Sequence, residues 1–278
     1  MERAIFEAIK LAVTKIPDDV VKSLREAYEK EDNPTAKFNL ENILKAVEIG
    51  KREQIPVCQD TGTVTFFVEA GIESPYLREI KEAIASALEK ATKEIPLRPN
   101  SLDVVTNKNV GNLPIIHWEL VNGDKIRVAI LPKGGGSENC SALAMLTPAE
   151  GFEGVKRAVV ERVKECGGKP CPPVIIGIGI GGSADFALKL AKKALLRPVG
   201  ERHRDKRIAK FEGVLLEEIN SLGVGPMGIG GRTTALDVKV EITYRHPASF
   251  PAGIVFQCWA HRRAFLEISS NGDVRIWQ

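Results

Sequence analysis

The chain has 278 residues, 44% of them hydrophobic and 27% charged, enough apolar content to bury one large core or two lobes sharing one. Its formal charge of +3 is scattered along the chain, and no basic block interleaved with aromatics appears, which argues against a nucleic-acid partner. No apolar run approaches the roughly 20 residues that span a bilayer, and the start MERAIFEAIKLAV reads as an amphipathic helix rather than a leader, so a cytoplasmic protein without membrane association is expected.

The first third is helical in pattern. Glu2 to Thr14, Pro17 to Lys30 and Phe38 to Arg52 each place apolar residues at three- and four-residue spacing. The segment IPVCQDTGTVTFFVEAG then changes to β-branched and aromatic residues, which predicts a turn carrying Cys58, Gln59 and Asp60 ahead of a buried strand. Tyr76 to Lys93 is a helix again, followed by the proline-punctuated loop IPLRPNSLD. Two strands, LPIIHWELV and DKIRVAILP, follow; Asn122–Gly123 between them predicts that they pair as a hairpin.

Beyond the glycine-rich turn KGGGSEN, the pattern alternates as in parallel sheets: a helix from Pro148 to Cys166, the strand PVIIGIGI, and helices from Ala184 to Leu196 and Asp205 to Leu222. The tail, with LDVKVEITY, AGIVFQCW, AFLEI and VRIWQ, reads as short strands. The fold class is therefore α/β, or mixed α+β: N-terminal helices, then mixed sheets with flanking helices, and the chemistry in turns at strand ends.

Five cysteines, Cys58, Cys140, Cys166, Cys171 and Cys258, are an odd number in a chain without a secretory signal, which argues against a disulfide framework. Metal ligands, nucleophiles and core fillers remain. Prolines and glycines around Cys58 and Cys171 fix the backbone and cannot continue a helix, as suits a thiolate that must point at one place. Structural zinc sites pair cysteines at short spacing, whereas Cys58, Cys171 and Cys258 lie far apart, and no histidine pair completes the Cys166, Cys171 pair. Spacing alone leaves the choice open.

The segments PVCQDTG, KGGGSEN, CPPVIIGIGIGG, IGGRTTALDVKVE and HPASFPAGIVFQCWAHRRA resemble, in that order, the α-subunits of class I fumarate hydratases and the related L-tartrate dehydratases. The resemblance runs from about Gln54 to Ala264. It implies a hydro-lyase that hydrates fumarate to L-malate, with dehydration of L-tartrate as the alternative. It also implies a [4Fe–4S] cluster held by Cys58, Cys171 and Cys258, with one iron left for the substrate; Cys140 and Cys166, which match no ligand position, read as structural.

The same resemblance implies that Asp60 works in acid–base chemistry, that Gln59 contacts substrate, and that Arg98 holds a substrate carboxylate with its planar fork. Gly135, in a run whose backbone N–H groups lie open to an anion, and His246 are further implied substrate contacts; His261 is a rival without an assigned role. An Asx-turn closing the loop before Gly62 is the structural alternative for Asp60. Relatives active as single chains carry a further C-terminal catalytic domain. The resemblance therefore implies that a β-subunit supplies those groups here, in an assembly of two α and two β chains.

Two other classes compete. GIGIGG, from Gly177 to Gly182, follows a strand and precedes a helix as a dinucleotide fingerprint should, but lacks G-x-G-x-x-G spacing and an acidic residue at the next strand end. A non-catalytic iron–sulfur sensor would need a fourth thiolate, which Cys140 or Cys166 could provide.

Overall fold

The computed structural model describes all residues from Met1 to Gln278. In chain order the elements are α1 (Glu2–Thr14), α2 (Asp18–Lys30), α3 (Pro34–Glu53), β1 (Thr63–Gly71), α4 (Ile80–Glu94), β2 (Ile115–Val121), β3 (Ile126–Lys133), the single turn α5 (Gly135–Glu138), β4 (Ala142–Leu146), α6 (Gly151–Cys166), β5 (Val174–Gly182), α7 (Ala184–Ala194), α8 (Lys206–Ser221), β6 (Ala235–Arg245), β7 (Phe250–Gln257), β8 (Ala264–Ile268) and β9 (Val274–Trp277). This is a mixed α/β fold, as the residue patterns predicted. No helix is long and apolar enough to cross a membrane.

The chain folds into two compact units, each discontinuous in sequence: Met1–Pro17 with Ala46–Gly135 and Arg262–Gln278, and Asp18–Lys45 with Gly136–His261. The first unit contains a five-stranded sheet in the order β2-β1-β3-β8-β9. Helices α1 and α4 cover one face, where Ile5, Ile9, Ile84 and Leu88 meet Phe66, Val68, Ile130 and Leu266. Burying such side chains removes apolar surface from water, the main stabilising term of a domain.

One expectation fails here. The strands on either side of Asn122–Gly123 do not pair as a hairpin: β1 lies between them, parallel to β2 and antiparallel to β3. The physical reason is burial. All but two residues of β1 are buried, so it needs a hydrogen-bonded neighbour on each side, whereas β2 is largely exposed and suits an edge. The turn instead clasps the end of β1: Gly71 N–H donates to the Lys125 carbonyl at 2.8 Å and Glu73 N–H to Gly123 at 3.0 Å. A Cβ at Gly71 would come within 2.3 Å of the Gly123 oxygen, so only glycine fits there.

The second unit contains a four-stranded sheet, β4-β7-β5-β6, in which β5 is parallel to β6 and antiparallel to β7. Helices α6 and α8 pack on the face bearing Val174, Ile176 and Ile178. Helix α7 packs on the other. Strand β4 was not anticipated in the sequence. The glycines of GIGIGG owe their presence to α7: a Cβ on Gly177 would stand 2.1 Å from the Ala191 oxygen, and one on Gly179 2.2 Å from that of Ala187. They lie inside the strand and admit the helix, rather than forming a phosphate-binding turn.

Candidate active site

In the first unit the turn Cys58–Gln59–Asp60 joins α3 to β1. Asp60 uses both carboxylate oxygens. Gly62 N–H donates to Oδ1 at 3.0 Å, which closes the Asx-turn, and Gly135 N–H donates to Oδ2 at 2.8 Å. The structural and the functional readings of Asp60 are thus compatible: one oxygen shapes the loop and the other reaches the glycine run. A Cβ on Gly134 would lie 2.8 Å from Oδ2, so the carboxylate sits where only glycine leaves room.

The loop after α4 forms the facing wall. Thr61, nearly fully buried, accepts from Arg98 N–H at 3.0 Å and donates to the Arg98 carbonyl at 3.3 Å, while Asn112 donates to that carbonyl at 3.1 Å. The Arg98 backbone is therefore fixed and its side chain is exposed. Asn100 donates to the Gly62 carbonyl at 3.2 Å, tying this loop to the Asp60 turn. The result is a cavity of about 680 Å³ lined by Gln59, Asp60, Arg98, Asn100, Asn109 and Gly135, among others. Four of the residues singled out in the sequence come together here. Such a concave site with a few convergent polar groups and one exposed guanidinium suits a small anionic ligand.

Thr61, Asn100 and Asn109 were not singled out from sequence, although Thr61 lies within the quoted CQDTG segment. Arg262 was missed as well. It is fully buried, and its Nη2 donates to the Asp60 carbonyl at 3.0 Å, so the turn is held from behind by a charged donor. Its Nε and Nη1 have no hydrogen-bond partner.

The other predicted residues belong to the second unit. Cys171 stands in the turn before β5 and Cys258 directly after β7; Trp259 N–H donates to the Cys171 carbonyl at 3.2 Å, which makes these two turns neighbours. Cys171 has φ +55°, a left-handed conformation rare for a residue with a Cβ. His246 is exposed in the turn between β6 and β7, where its Nδ1 accepts from Ala248 N–H at 3.1 Å. His261 is fully buried.

None of the five cysteines is in a disulfide; Cys58, Cys171 and Cys258 are half-buried, whereas Cys140 and Cys166 are buried in the core under the second sheet. No three His, Cys, Asp or Glu side chains are gathered closely enough to hold a metal ion. Cys58, Cys171 and Cys258 are thiols in turns, the ligand type that iron–sulfur clusters take.

The family model described as fumarate hydratase (Fumerase) matches residues 2–267. The chain is 50% identical to the putative L(+)-tartrate dehydratase subunit alpha of Methanocaldococcus jannaschii, over 97% of this chain and 98% of that one. It is 35% identical to the L(+)-tartrate dehydratase subunit alpha of Escherichia coli K12, over 93% of this chain and 87% of that one. With a family match spanning nearly the whole chain and relatives similar end to end, this protein belongs to the fumarate hydratase (Fumerase) family and is a hydro-lyase of the fumarate hydratase and tartrate dehydratase α-subunit type.

Proposed function

We propose that the chain is the α-subunit of an iron–sulfur hydro-lyase that, with a β-subunit, interconverts fumarate and L-malate in the cytoplasm. The observation that carries the reading is the cavity lined jointly by Gln59, Asp60, Arg98 and Gly135. Its exposed guanidinium can hold a carboxylate through two parallel hydrogen bonds. Asp60, anchored through both oxygens, is the group that takes or gives the proton. Gln59 offers an amide to the substrate, Gly135 closes the wall against Asp60, and His246 is a further proposed substrate contact.

Cys58, Cys171 and Cys258 are the proposed ligands of a [4Fe–4S] cluster. Their support is the motif resemblance, their half-buried thiols outside any disulfide and their turn positions; Cys140 and Cys166 serve the core. A cluster held by three thiolates leaves one iron open and supplies a Lewis acid for the departing hydroxide, a poor leaving group. The partner rests on the relatives being named alpha subunits, and an assembly of two α and two β chains is the proposed stoichiometry.

A second reading, dehydration of L-(+)-tartrate, is favoured by the names of those relatives. The two substrates differ chiefly by one hydroxyl. The test is kcat/KM for L-malate and L-(+)-tartrate with the anaerobically reconstituted αβ enzyme: preference for L-malate is expected, and preference for tartrate establishes the second reading. No turnover of either would reject the function.

A further inference from the structure

We propose that the outer edge of β2 is where two copies of this chain pair, antiparallel about a twofold axis at Trp118. Strand β2 ends its sheet with β1 as its only strand neighbour. Its seven residues, IIHWELV, contain neither lysine nor proline, the residues with which natural edge strands discourage pairing. The edge is also apolar and accessible: Ile115 is 43% exposed, Trp118 37% and Leu120 66%. Nearby in the chain Leu113 is 58% exposed, and Val104 and Val105, in the turn of a short hairpin, are 92% and 89% exposed. Exposed apolar side chains along an edge strand are the mark of an interaction face.

The sequence of the strand selects its occupant. Paired antiparallel with itself about Trp118, it sets Ile115 against Val121, Ile116 against Leu120 and His117 against Glu119, each twice, with Trp118 facing Trp118. Apolar residues meet apolar ones, and an imidazole meets a carboxylate, the cross-strand matches that stabilise sheets. Moving the axis by half a residue or one residue sets Ile116 or Ile115 against Glu119, or His117 against Leu120 or Val121. A strand that is self-complementary in a single register is what an isologous interface requires, and the sheet then continues from one copy into the other.

This inference rests on the two-α, two-β reading for its place in the assembly, where it supplies the α–α contact. It is tested without the β-subunit or a cluster, so failure of either reading leaves the other distinguishable. The isolated chain should scatter light as a dimer, about twice 30.3 kDa. Leu120→Lys, at an exposed position, should give a monomer with an unchanged circular dichroism spectrum. Glu119→Lys should raise the dimer Kd at least tenfold, and adding His117→Glu should restore it. Under mild oxidation Trp118→Cys should link to itself, since antiparallel partners lie within disulfide range, as mapped by peptide mass spectrometry; Leu113→Cys should not. A wild-type chain monomeric at tens of micromolar would overturn the proposal, as would a dimer indifferent to Leu120→Lys in which the Trp118→Cys variant forms no link.

Discussion

Trp259 N–H donates to the carbonyl of Cys171 at 3.2 Å, so the residue that follows Cys258 is tied to the backbone of a second cysteine distant in sequence. The Cys171 turn is fixed by further bonds. Cys171 N–H donates to Gly168 at 3.0 Å, and Met227 N–H donates to the Pro172 carbonyl at 2.8 Å. Every one of these contacts is made by backbone atoms. The turn is therefore fixed by backbone contacts, with Cys171 itself in the left-handed region at φ +55°.

From this follows a clean separation of variants. Cys58→Ser, Cys171→Ser and Cys258→Ser should fold like the wild type yet lose most of their iron and visible absorbance after anaerobic reconstitution with iron and sulfide. Cys140→Ala and Cys166→Ala should keep the cluster and instead lose stability, by roughly 1–3 kcal/mol, since each removes a buried side chain. Full iron loading of Cys171→Ser would reject the assignment.

The room around Asp60 makes a second prediction. Asp60→Asn can still accept from Gly62, but an amide nitrogen in place of Oδ2 would face the Gly135 N–H, donor against donor. We expect kcat of the αβ enzyme to fall by about 10²-fold or more, with little change in melting temperature. Gly134→Ala, whose Cβ would stand 2.8 Å from Oδ2, should impair turnover more than Gly135→Ala, whose Cβ would stand 3.9 Å away. Equal effects would show that the carboxylate is free to move.

Helix positions were legible because apolar residues recur at helical spacing, and α1 and β8 fall on the residues expected. The cysteines in turns were legible because proline and glycine mark turns locally. The order of strands was not: Asn122–Gly123 reports a turn, but which strand lies beside β2 depends on the burial of β1, a non-local property. Likewise the strand segment LDVKVEITY carries the charged residues Asp237 and Lys239. Both are in fact fully buried, with Lys239 Nζ 2.8 Å from Asp237 and Arg202 2.6 Å from the same carboxylate; burial pulls the Lys239 amine below the ordinary lysine range despite Asp237. Arg202, 35 residues from Asp237, leaves no periodic trace. Arg262 escaped notice for the same reason, since its partner is a backbone carbonyl on a distant loop.

Thr61 offers a test of how the cavity wall is held. Its buried hydroxyl serves Arg98 twice and also accepts from Asn100 at 3.4 Å. Thr61→Val keeps the shape but leaves the Arg98 N–H without its acceptor, which should cost roughly 1–3 kcal/mol in urea denaturation. Because the Arg98 side chain that lines the cavity, the proposed carboxylate holder, rides on that backbone, KM should rise several-fold while kcat changes less. Unchanged KM with lowered stability would show that Arg98 is not the carboxylate holder.

Activity should require the second subunit. The cavity provides one exposed arginine, Arg98, for a substrate with two carboxylates, so the second carboxylate needs a cation from elsewhere, and a partner chain is the source the α-subunit type implies. The isolated, cluster-loaded chain is therefore expected to bind a C4 dicarboxylate weakly and to turn it over at least 10³-fold more slowly than the αβ complex, much of that difference being lost positioning. Arg98→Lys, which retains charge but not the bidentate fork, should raise KM for the complex at least tenfold. Titrating the β-subunit against a fixed amount of this chain and following fumarate absorbance checks the first expectation; full activity without the partner would reject it.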